Sequence, residues 1–387
     1  MTTPTSPEQR PDASRVRRAA VYVGALLGPF GAGVVAPALP QISHSLHVSV
    51  HAAAISLTAY LTPLAAVQLV SGTLGERWGR ERTVLIAYLV YLVAALGAML
   101  APNLAVFLSM RVVLGLANGF TSPLLLAGLA DIVAPRRLSR SVGIFASCQA
   151  AGQSVAPLVG GLAAAQSWRW AFLVVAITAG LLALAPPPGK PRPGLAAPPW
   201  RPLIGRSTAL LAVAALASYL GAAGLPFLVA LHAQDHLAMS PGNVGLALLG
   251  FGVAGLLLGS FWGSVTERLR PARCGVVGAV LAAGAVVLTG LSTTPATLVL
   301  WWTLAGAAAS MINVALQNLT VRAVPANRGG ALSAVSAFRF SGAALAPPCL
   351  LPIYAGHPRA AFVVAGSALL LVAVVLIMLP RSRAAAA

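Results

Sequence analysis

The stretch that decides the fold is GTLGERWGRER, residues 72–82. Five of its eleven residues are charged, although only 8% of the whole chain is charged, and it lies between two long apolar runs. Its glycines permit a tight turn and close contact between neighbouring helices. A short charged segment between apolar runs indicates a connection between two membrane-spanning helices.

The composition of the chain is that of a membrane protein. Of its 387 residues, 58% are apolar, and the mean hydropathy is +0.86. A soluble surface needs about a quarter of charged residues. Only helices and closed barrels satisfy their backbone polar groups in lipid, and the long Ala, Leu, Val and Gly runs exclude the alternating pattern of a barrel. The sequence therefore predicts an all-α membrane protein.

Polar interruptions divide the chain into twelve candidate transmembrane helices. A helix that crosses the lipid core needs about 20 predominantly apolar residues. The predicted spans are 20–42, 53–74, 82–101, 104–128, 139–164, 170–186, 208–232, 242–264, 273–292, 296–321, 328–352 and 360–380.

The charged residues predict the orientation of these spans. On the twelve-span map, 21 of the 25 basic residues fall on one side, which predicts that both termini are cytoplasmic and that the chain lies in the plasma membrane. The histidines fall near the opposite ends of the helices. There they either sense pH or occupy ordinary polar loops: His44, His47, His51, His232, His236 and His357.

Several other classes of protein are disfavoured. The net charge of +18 is distributed over loops on one side, so nucleic acid is not an expected partner. The three cysteines are dispersed without metal-ligand spacing, and no phosphate-binding P-loop motif is present, so we expect no metal and no cofactor. A polytopic membrane enzyme would need converging histidines and acids, and the cytoplasmic side has no histidine. We expect a monomer in the lipid bilayer.

An internal repeat divides the spans into two halves of six. GTLGERWGRER aligns at an offset of 191 with GSVTERLRPAR, residues 263–273, and the segments GQSVAP (152–157) and GAALAP (342–347) align at 190. Matches in register over half the chain indicate two pseudo-symmetric six-helix bundles. Between them lies the proline-rich, basic stretch PPPGKPRPGLAAPPWRP, residues 186–202, which cannot form a long helix.

This repeat predicts the division of the chain. The expected segments are a disordered cytoplasmic tail (1–18), an N-terminal bundle (19–186), a cytoplasmic linker (187–207), a C-terminal bundle (208–380) and a cytoplasmic tail (381–387).

The arrangement of two parallel six-helix repeats resembles the major facilitator superfamily. The stretch 72–82 is similar to that family's loop motif Gly-x-Leu-Ala-Asp-Arg-x-Gly-Arg-Arg/Lys-Arg/Lys, with Glu76 for the acid and Glu81 for a basic residue. SMRVVLGLANG resembles the family's Arg-x-x-Gln-Gly motif through Arg111 and Gly115, with Leu114 in place of Gln. The resemblance implies the twelve-helix major facilitator fold and secondary transport.

The fifth span resembles the antiporter motif of bacterial drug/proton exporters. GIFASCQAAGQSVAPLVGG matches the glycine and proline pattern of that motif, with Ala156 for one glycine, at Gly143, Gly152, Pro157, Gly160 and Gly161. Small residues allow helices to approach closely, and a proline kinks a helix and frees a carbonyl. The same pattern is also consistent with a simple packing face.

The doubled charged loop suggests a gate. The resemblance and the repeat together predict a latch that holds the outward-facing state closed on the inside, with a purely topological anchor as the alternative. Glu81 and Pro271 make the two copies unequal, so we expect the first half to latch more strongly. The candidate gating residues are Gly72, Glu76, Arg77, Gly79, Arg80, Asp131, Glu267 and Arg268.

Polar residues inside the predicted spans indicate a central substrate cavity. None of the seven acids lies in the middle of a span, whereas Arg111 lies inside one span and Arg339 near the centre of another. Arg339 occupies the repeat position of Gln149. An ionisable residue inside the membrane is costly unless it is functional or paired. The amides serve either the substrate or contacts between helices. The candidate binding residues are Arg111, Asn118, Gln149, Gln153, Tyr219, Trp302, Asn313, Gln317 and Arg339.

Together with the resemblance, these features predict a secondary transporter that exports small amphipathic compounds or drugs by alternating access, with an anionic or amphipathic molecule as the expected substrate. A proton-independent facilitator or an organic-anion exchanger using Arg339 is the alternative, because no acid lies in mid-membrane. If protons are coupled, the candidate carriers are Asp131, Asp235 and the histidines.

Overall fold

The computed structural model describes residues 11–133, 138–189, 205–323 and 328–379, and within these ranges the regular structure is helical. The helices are α1 (Pro11–Gly33), α2 (Leu39–Ser45), α3 (Val50–Trp78), α4 (Arg80–Met99), α5 (Leu104–Ile132), α6 (Leu138–Ala164), α7 (Arg169–Ala183), α8 (Arg206–Ser218), α9 (Pro226–Leu237), α10 (Pro241–Arg268), α11 (Pro271–Gly290), α12 (Pro295–Ala323), α13 (Arg328–Gly356) and α14 (Pro358–Ile377).

Ten stretches within the described residues are long and apolar enough to cross a membrane. Two further helices, α6 and the shorter α7, lie in the chain between the fourth and the fifth of these stretches. Because only a lipid environment suits so many long apolar helices, the chain is a multi-pass membrane protein, as its composition predicts.

Tight turns reverse the chain between successive long helices, which gives the molecule two faces. The face at which α3 ends and α4 begins, beside Arg77 and Arg82, is here called the basic face. The face at which α9 ends and α14 begins, beside His236 and His357, is called the histidine face.

Two of the membrane stretches, the first of each half, are interrupted. Between α1 and α2 lies a 3₁₀ turn, Ala36–Ala38, and between α8 and α9 lies a π-helical turn, Tyr219–Ala223. The second interruption ends where Pro226 begins α9, since proline cannot donate a helical hydrogen bond. Interrupted helices commonly form binding sites in transporters because they offer unpaired backbone groups.

The structure corrects two of the predicted boundaries. Helix α1 begins at Pro11, so residues 11–18 are helical and not part of a disordered tail. Proline suits the first turn of a helix, so Pro11 is compatible with this start. Helix α8 begins at Arg206, inside the predicted linker. Residues 1–10, 190–204 and 380–387 lie outside the described ranges.

Helices α1–α7, here called the first half, pack in the same pattern as helices α8–α14, here called the second half. Helix α6 lies against α1 as α13 lies against α8, and the contacting residues correspond. A Cβ on Gly152 would overlap the carbonyl oxygen of Leu26, and a Cβ on Gly342 would overlap that of Leu216. Both members of the second pair lie 190 residues after those of the first, so this contact is repeated.

A second glycine contact is repeated between other helices. A Cβ on Gly115 of α5 would overlap the carbonyl oxygen of Tyr60 in α3, and one on Gly306 of α12 would overlap that of Phe251 in α10. The offset is 191 in each case. The two halves therefore share their helix contacts as well as their sequence pattern.

The halves meet along two crossed helix pairs, α6 with α10 and α3 with α13. A Cβ on Gly161 of α6 would overlap the carbonyl oxygen of Pro241. A Cβ on Gly245 of α10 would likewise overlap the carbonyl oxygen of Pro157. In the other pair, Thr58 Oγ1 donates a 2.7 Å hydrogen bond to the carbonyl of Ala344. Both sets of contacts lie toward the histidine face.

We predict that adding one methyl group at Gly152 destabilises the protein, although alanine favours helices by about 1 kcal/mol over glycine. Gly152→Ala forces α6 away from α1, and overpacking of this kind costs about 1–3 kcal/mol. The measurement is the apparent melting temperature of the purified protein in detergent.

The matched control is Gly284→Ala, because a Cβ at this position in α11 meets no atom within 4 Å. It should leave the melting temperature unchanged or raise it. Equal effects of the two variants would contradict the close contact between α1 and α6.

Candidate functional site

A cavity of about 300 Å³ lies between the two halves. It is lined by α1, α3, α5 and α6 of the first half and by the π-helical turn, α9, α12 and α13 of the second. Seven of the nine predicted binding residues line it: Asn118, Gln149, Gln153, Tyr219, Asn313, Gln317 and Arg339.

Arg339 supplies the positive charge of the cavity. Its Nη2 donates a hydrogen bond to the hydroxyl of Tyr219, and its guanidinium lies 4.6 Å from the centre of that ring. Its Nε is buried without a hydrogen-bond partner. The described lining includes no carboxylate. The cavity therefore holds an arginine with a free donor and no counter-ion among these residues.

Amides occupy two opposite walls of the cavity. On α12, Gln317 Nε2 donates to Asn313 Oδ1 at 3.3 Å, as their spacing of four residues allows. On α6, Gln149 and Gln153 line the facing wall. These side chains offer both donors and acceptors to a polar group of a bound molecule.

The cavity is also lined by three polar residues that were not predicted from the sequence. They are Gln68, Ser122 and Ser336, and the Oε1 of Gln68 is buried without a partner. Gln68 is a single amide in an apolar run, and an isolated polar residue of this kind can be recognised in the sequence. The two serines lie four residues after Asn118 and three before Arg339, on the helical faces already identified.

Asn118 is held in the wall by a buried hydrogen-bond network. Its Nδ2 donates to the hydroxyl of Tyr60 at 2.9 Å, and its Oδ1 accepts from Thr121 Oγ1 at 2.8 Å. The hydroxyls of Tyr60 and Tyr91 lie 3.1 Å apart. This network fixes the orientation of the amide toward α1.

Arg111 does not line the cavity, which corrects its predicted role as a substrate ligand. The side chain is 1% exposed, and it donates from Nε to the carbonyl of Ser56 at 3.1 Å and from Nη1 to that of Gly31 at 2.8 Å. Its guanidinium lies 4.3 Å from the ring centre of Tyr60. Backbone carbonyls and an aromatic face stabilise this buried charge, although its Nη2 has no hydrogen-bond partner among the described residues.

Trp302 also lies away from the cavity, in the core of the second half. It is stacked on Phe251 with ring centres 4.5 Å apart, and its Nε1 donates to the carbonyl of Leu248 at 3.4 Å. Trp302 and Phe251 lie 191 residues after Arg111 and Tyr60. Arg111 and Trp302 thus occupy the same position of the repeat. Arg111 joins two helices of the first half through its guanidinium, and Trp302 joins two helices of the second half through its indole ring.

The predicted gating loop forms a sharp turn at the basic face. Gly79 has φ 95° and ψ 119°, a conformation that suits glycine, and it separates α3 from α4. The buried Arg80 donates to the carbonyl of Pro188 at 3.3 Å, and the backbone N–H of Glu81 donates to that of Gly189 at 3.4 Å. The turn therefore binds the segment that follows α7.

The other gating candidates are only partly described. Arg77 is exposed, and Glu81 lies 3.7 Å from Arg17 of α1. The remaining candidates lie outside the residues whose side chains are described: Gly72, Glu76, Asp131, Glu267 and Arg268.

The antiporter-like motif has three different surroundings. Gly152 faces α1, and Gly160 faces the turn between α1 and α2, where a Cβ on Gly160 would overlap the carbonyl of Val34. Gly161 faces α10 of the other half, and Pro157 lines the cavity. Gly143 lies outside the residues whose side chains are described. The described part of the motif thus serves both packing and the interface between the halves.

The cavity is closed toward the histidine face. Gln234 Nε2 donates to the carbonyl of Pro37 at 3.2 Å, and its Oε1 lies 3.5 Å from Gln41 Nε2. With the bond from Thr58 to Ala344, these are the hydrogen bonds that join the halves among the described residues. All three lie at the level of the cavity or beyond it toward the histidine face.

Several curated proteins are similar to this chain. The multidrug efflux protein YfmO of Bacillus subtilis is 26% identical over 334 residues, which cover 85% of this chain and 84% of that protein. The MFS antiporter QDR3 of Candida albicans is 28% identical over 150 residues. The efflux pump radE of Floropilus chiversii is 26% identical over 187 residues.

The extent of these matches differs. The match to the Candida protein covers 39% of this chain but only 21% of that protein, and the match to the Floropilus protein covers 47% and 34%. The family model of the Major Facilitator Superfamily matches residues 21–211 and again 211–387. Since these matches cover almost the whole chain, the protein belongs to the Major Facilitator Superfamily, a family of transporters.

Proposed function

We propose that this chain exports small amphipathic compounds by secondary active transport, and that Arg339 binds an anionic or electron-rich group of the substrate. The observation that carries this proposal is the cavity between the halves, which is lined by an arginine and by amides on two walls. Relatives named for multidrug efflux and antiport support it.

The chemistry of the cavity suits an anionic substrate. An arginine presents several donors in a planar fork and binds carboxylates or phosphates through paired hydrogen bonds. Tyr219 accepts a hydrogen bond from one side of the Arg339 guanidinium. The buried Nε of Arg339 has no partner and can still donate a hydrogen bond. Phe227 and Phe340 supply apolar surface in the same cavity. An amphipathic molecule would satisfy both parts.

The contacts between the halves support alternating access. The present state is closed at the histidine face by hydrogen bonds and by glycine contacts between α6 and α10. Rocking of one half against the other would break these contacts and form others at the basic face. The loop at residues 72–82 is proposed as the latch of that second state.

The twelve-span topology and the orientation are part of this proposal. With α6 and α7 added to the ten apolar stretches, the count becomes twelve, which returns both ends of the chain to one side. The arginines at the basic face then make that face cytoplasmic. On this assignment, the face that is closed in the described state is the extracellular one.

A second candidate function is a proton-independent facilitator or an organic-anion exchanger. The absence of a carboxylate from the described lining of the cavity favours it, since a proton carrier is expected where substrate and proton compete. Dye-monitored proton movement in inverted vesicles separates the two. Fluorescence recovery on addition of substrate indicates proton exchange, whereas no recovery during measured substrate flux indicates the facilitator or exchanger.

We predict that Arg339→Gln weakens the binding and transport of anionic substrates about 10- to 100-fold, because a hydrogen bond to a charged group contributes about 1.5–3 kcal/mol. The measurement is efflux of anionic compounds from an efflux-deficient bacterium, together with binding to the purified protein.

The control is Arg206→Gln, which removes an exposed charge at the start of α8, outside the cavity. It should transport normally. Unchanged anion selectivity in the Arg339 variant would refute the proposed role of this residue.

We predict that Arg77→Ala reduces transport about 10-fold or more with normal insertion into the membrane, the size of a typical coupling between two states. Arg77 makes no hydrogen bond or ion pair within the described residues, as expected of a group that acts in the opposite state. Arg270→Ala, which removes an exposed arginine between α10 and α11, is the control. Normal transport by the Arg77 variant would leave the loop as a topological anchor.

A further inference from the structure

Two pockets at the histidine face occupy equivalent places in the two halves. The first, of about 410 Å³, lies between α2 and the turn from α6 to α7, and the second, of about 480 Å³, lies between α9 and the turn from α13 to α14. Their lining residues correspond at offsets of 190 and 191: His232 takes the place of Gln41, His236 that of Ser45, and His357 that of Ser167.

The pockets differ in the state of one repeated arginine. In the first half, Arg169 donates to the carbonyls of Met99 and Ala101, and it lies 4.6 Å from the ring centre of Trp168. This arginine is fully engaged in joining α7 to the turn between α4 and α5. It is therefore a structural group.

In the second half, a histidine takes over this structural contact. The residue equivalent to Ala101 is Ser292, 191 positions later, and its carbonyl accepts a 3.2 Å hydrogen bond from His232 Nε2. Arg359, the equivalent of Arg169, is exposed at the pocket and makes no hydrogen bond or ion pair within the described residues. The replacement leaves a guanidinium available for another partner.

Three histidines line the same pocket. His232 is 4% exposed, and because its Nε2 donates to Ser292, the unpartnered Nδ1 of the neutral ring is an acceptor. Its ring stacks on that of His236 with ring centres 4.9 Å apart, so His236 and His357 are the imidazoles that can donate to an anion. His357 precedes α14, and Arg359 lies in the first turn of that helix, where the helix dipole attracts anions. The nearby Asp235 does not line the pocket, and it accepts a 3.3 Å hydrogen bond from Tyr354.

We propose that this pocket binds an oxyanion, a phosphate or carboxylate group, through Arg359, His236 and His357. The described lining contains three imidazoles and one guanidinium without a carboxylate. A metal ion does not explain the cluster, because the described residues contain no group of three or more ligands placed to hold one. The site is separate from the central cavity and does not depend on the proposed transport function.

The oxyanion has two possible sources, a dissolved anion or the headgroup of an anionic lipid. Inorganic phosphate is the probe, and the readout is the saturable rise in the apparent melting temperature of the full chain relative to chloride at equal ionic strength. Detergent micelles test the dissolved anion. Nanodiscs of phosphatidylglycerol or phosphatidylcholine test the headgroup.

We predict that phosphate stabilises the wild-type chain in detergent. Arg359→Gln should raise the dissociation constant for phosphate at least 10-fold. If the lipid headgroup is the ligand, phosphatidylglycerol removes the phosphate effect in the wild-type chain, and phosphatidylcholine preserves it. His44→Gln, which changes a histidine of the equivalent first pocket, is the control and should bind phosphate normally.

His236→Gln provides a second variant that keeps Arg359, and it should weaken phosphate binding as well. It tests the site if Arg359→Gln does not fold. No saturable effect beyond that of chloride in micelles or in phosphatidylcholine nanodiscs would overturn the proposal. So would equal phosphate affinity of the wild-type chain and the folded variants.

Discussion

The structure depends on close contact between helix backbones at glycine. Lipid is as apolar as the side chains that it surrounds, so burial of apolar surface contributes little to the association of helices in a membrane. Gly152 and Gly342 instead bring two helices together against carbonyl oxygens, and Gly161 and Gly245 do the same between the halves. The first pair holds each half together, while the second lies in an interface that must open if the halves rock.

The central cavity lies between helices that pack through small residues, and Arg339 is the cation of its described lining. Pro157 and Pro347, which are equivalent in the repeat, both line the cavity from α6 and α13. At the position where α6 carries Gln149, α13 carries Arg339. The shared backbone therefore forms a nearly symmetric space, and one substitution makes it electrostatically asymmetric.

The sequence predicts the helices and their repeat well because both follow from the length of apolar runs and from glycine spacing. It also predicts that Arg339, Gln149 and the α12 amides line one cavity, since polar residues on one helical face share their surroundings. It places Arg111 and Trp302 incorrectly, because a sequence does not show which carbonyls and rings surround a side chain. The composition of residues 11–18 predicts a disordered tail, although these residues form the first turns of α1.

The chain that follows α7 is attached to the α3–α4 turn. This attachment decides where the connection between the halves leaves the first half. Arg80 and Glu81 bind the carbonyls of Pro188 and Gly189, so the covalent tether leaves the first half beside this turn and not at the end of α7. Fifteen residues, 190–204, then connect to the second half. A displacement of α3 and α4 would therefore also move Pro188 and Gly189, so the point from which the chain leads to the second half follows the α3–α4 turn.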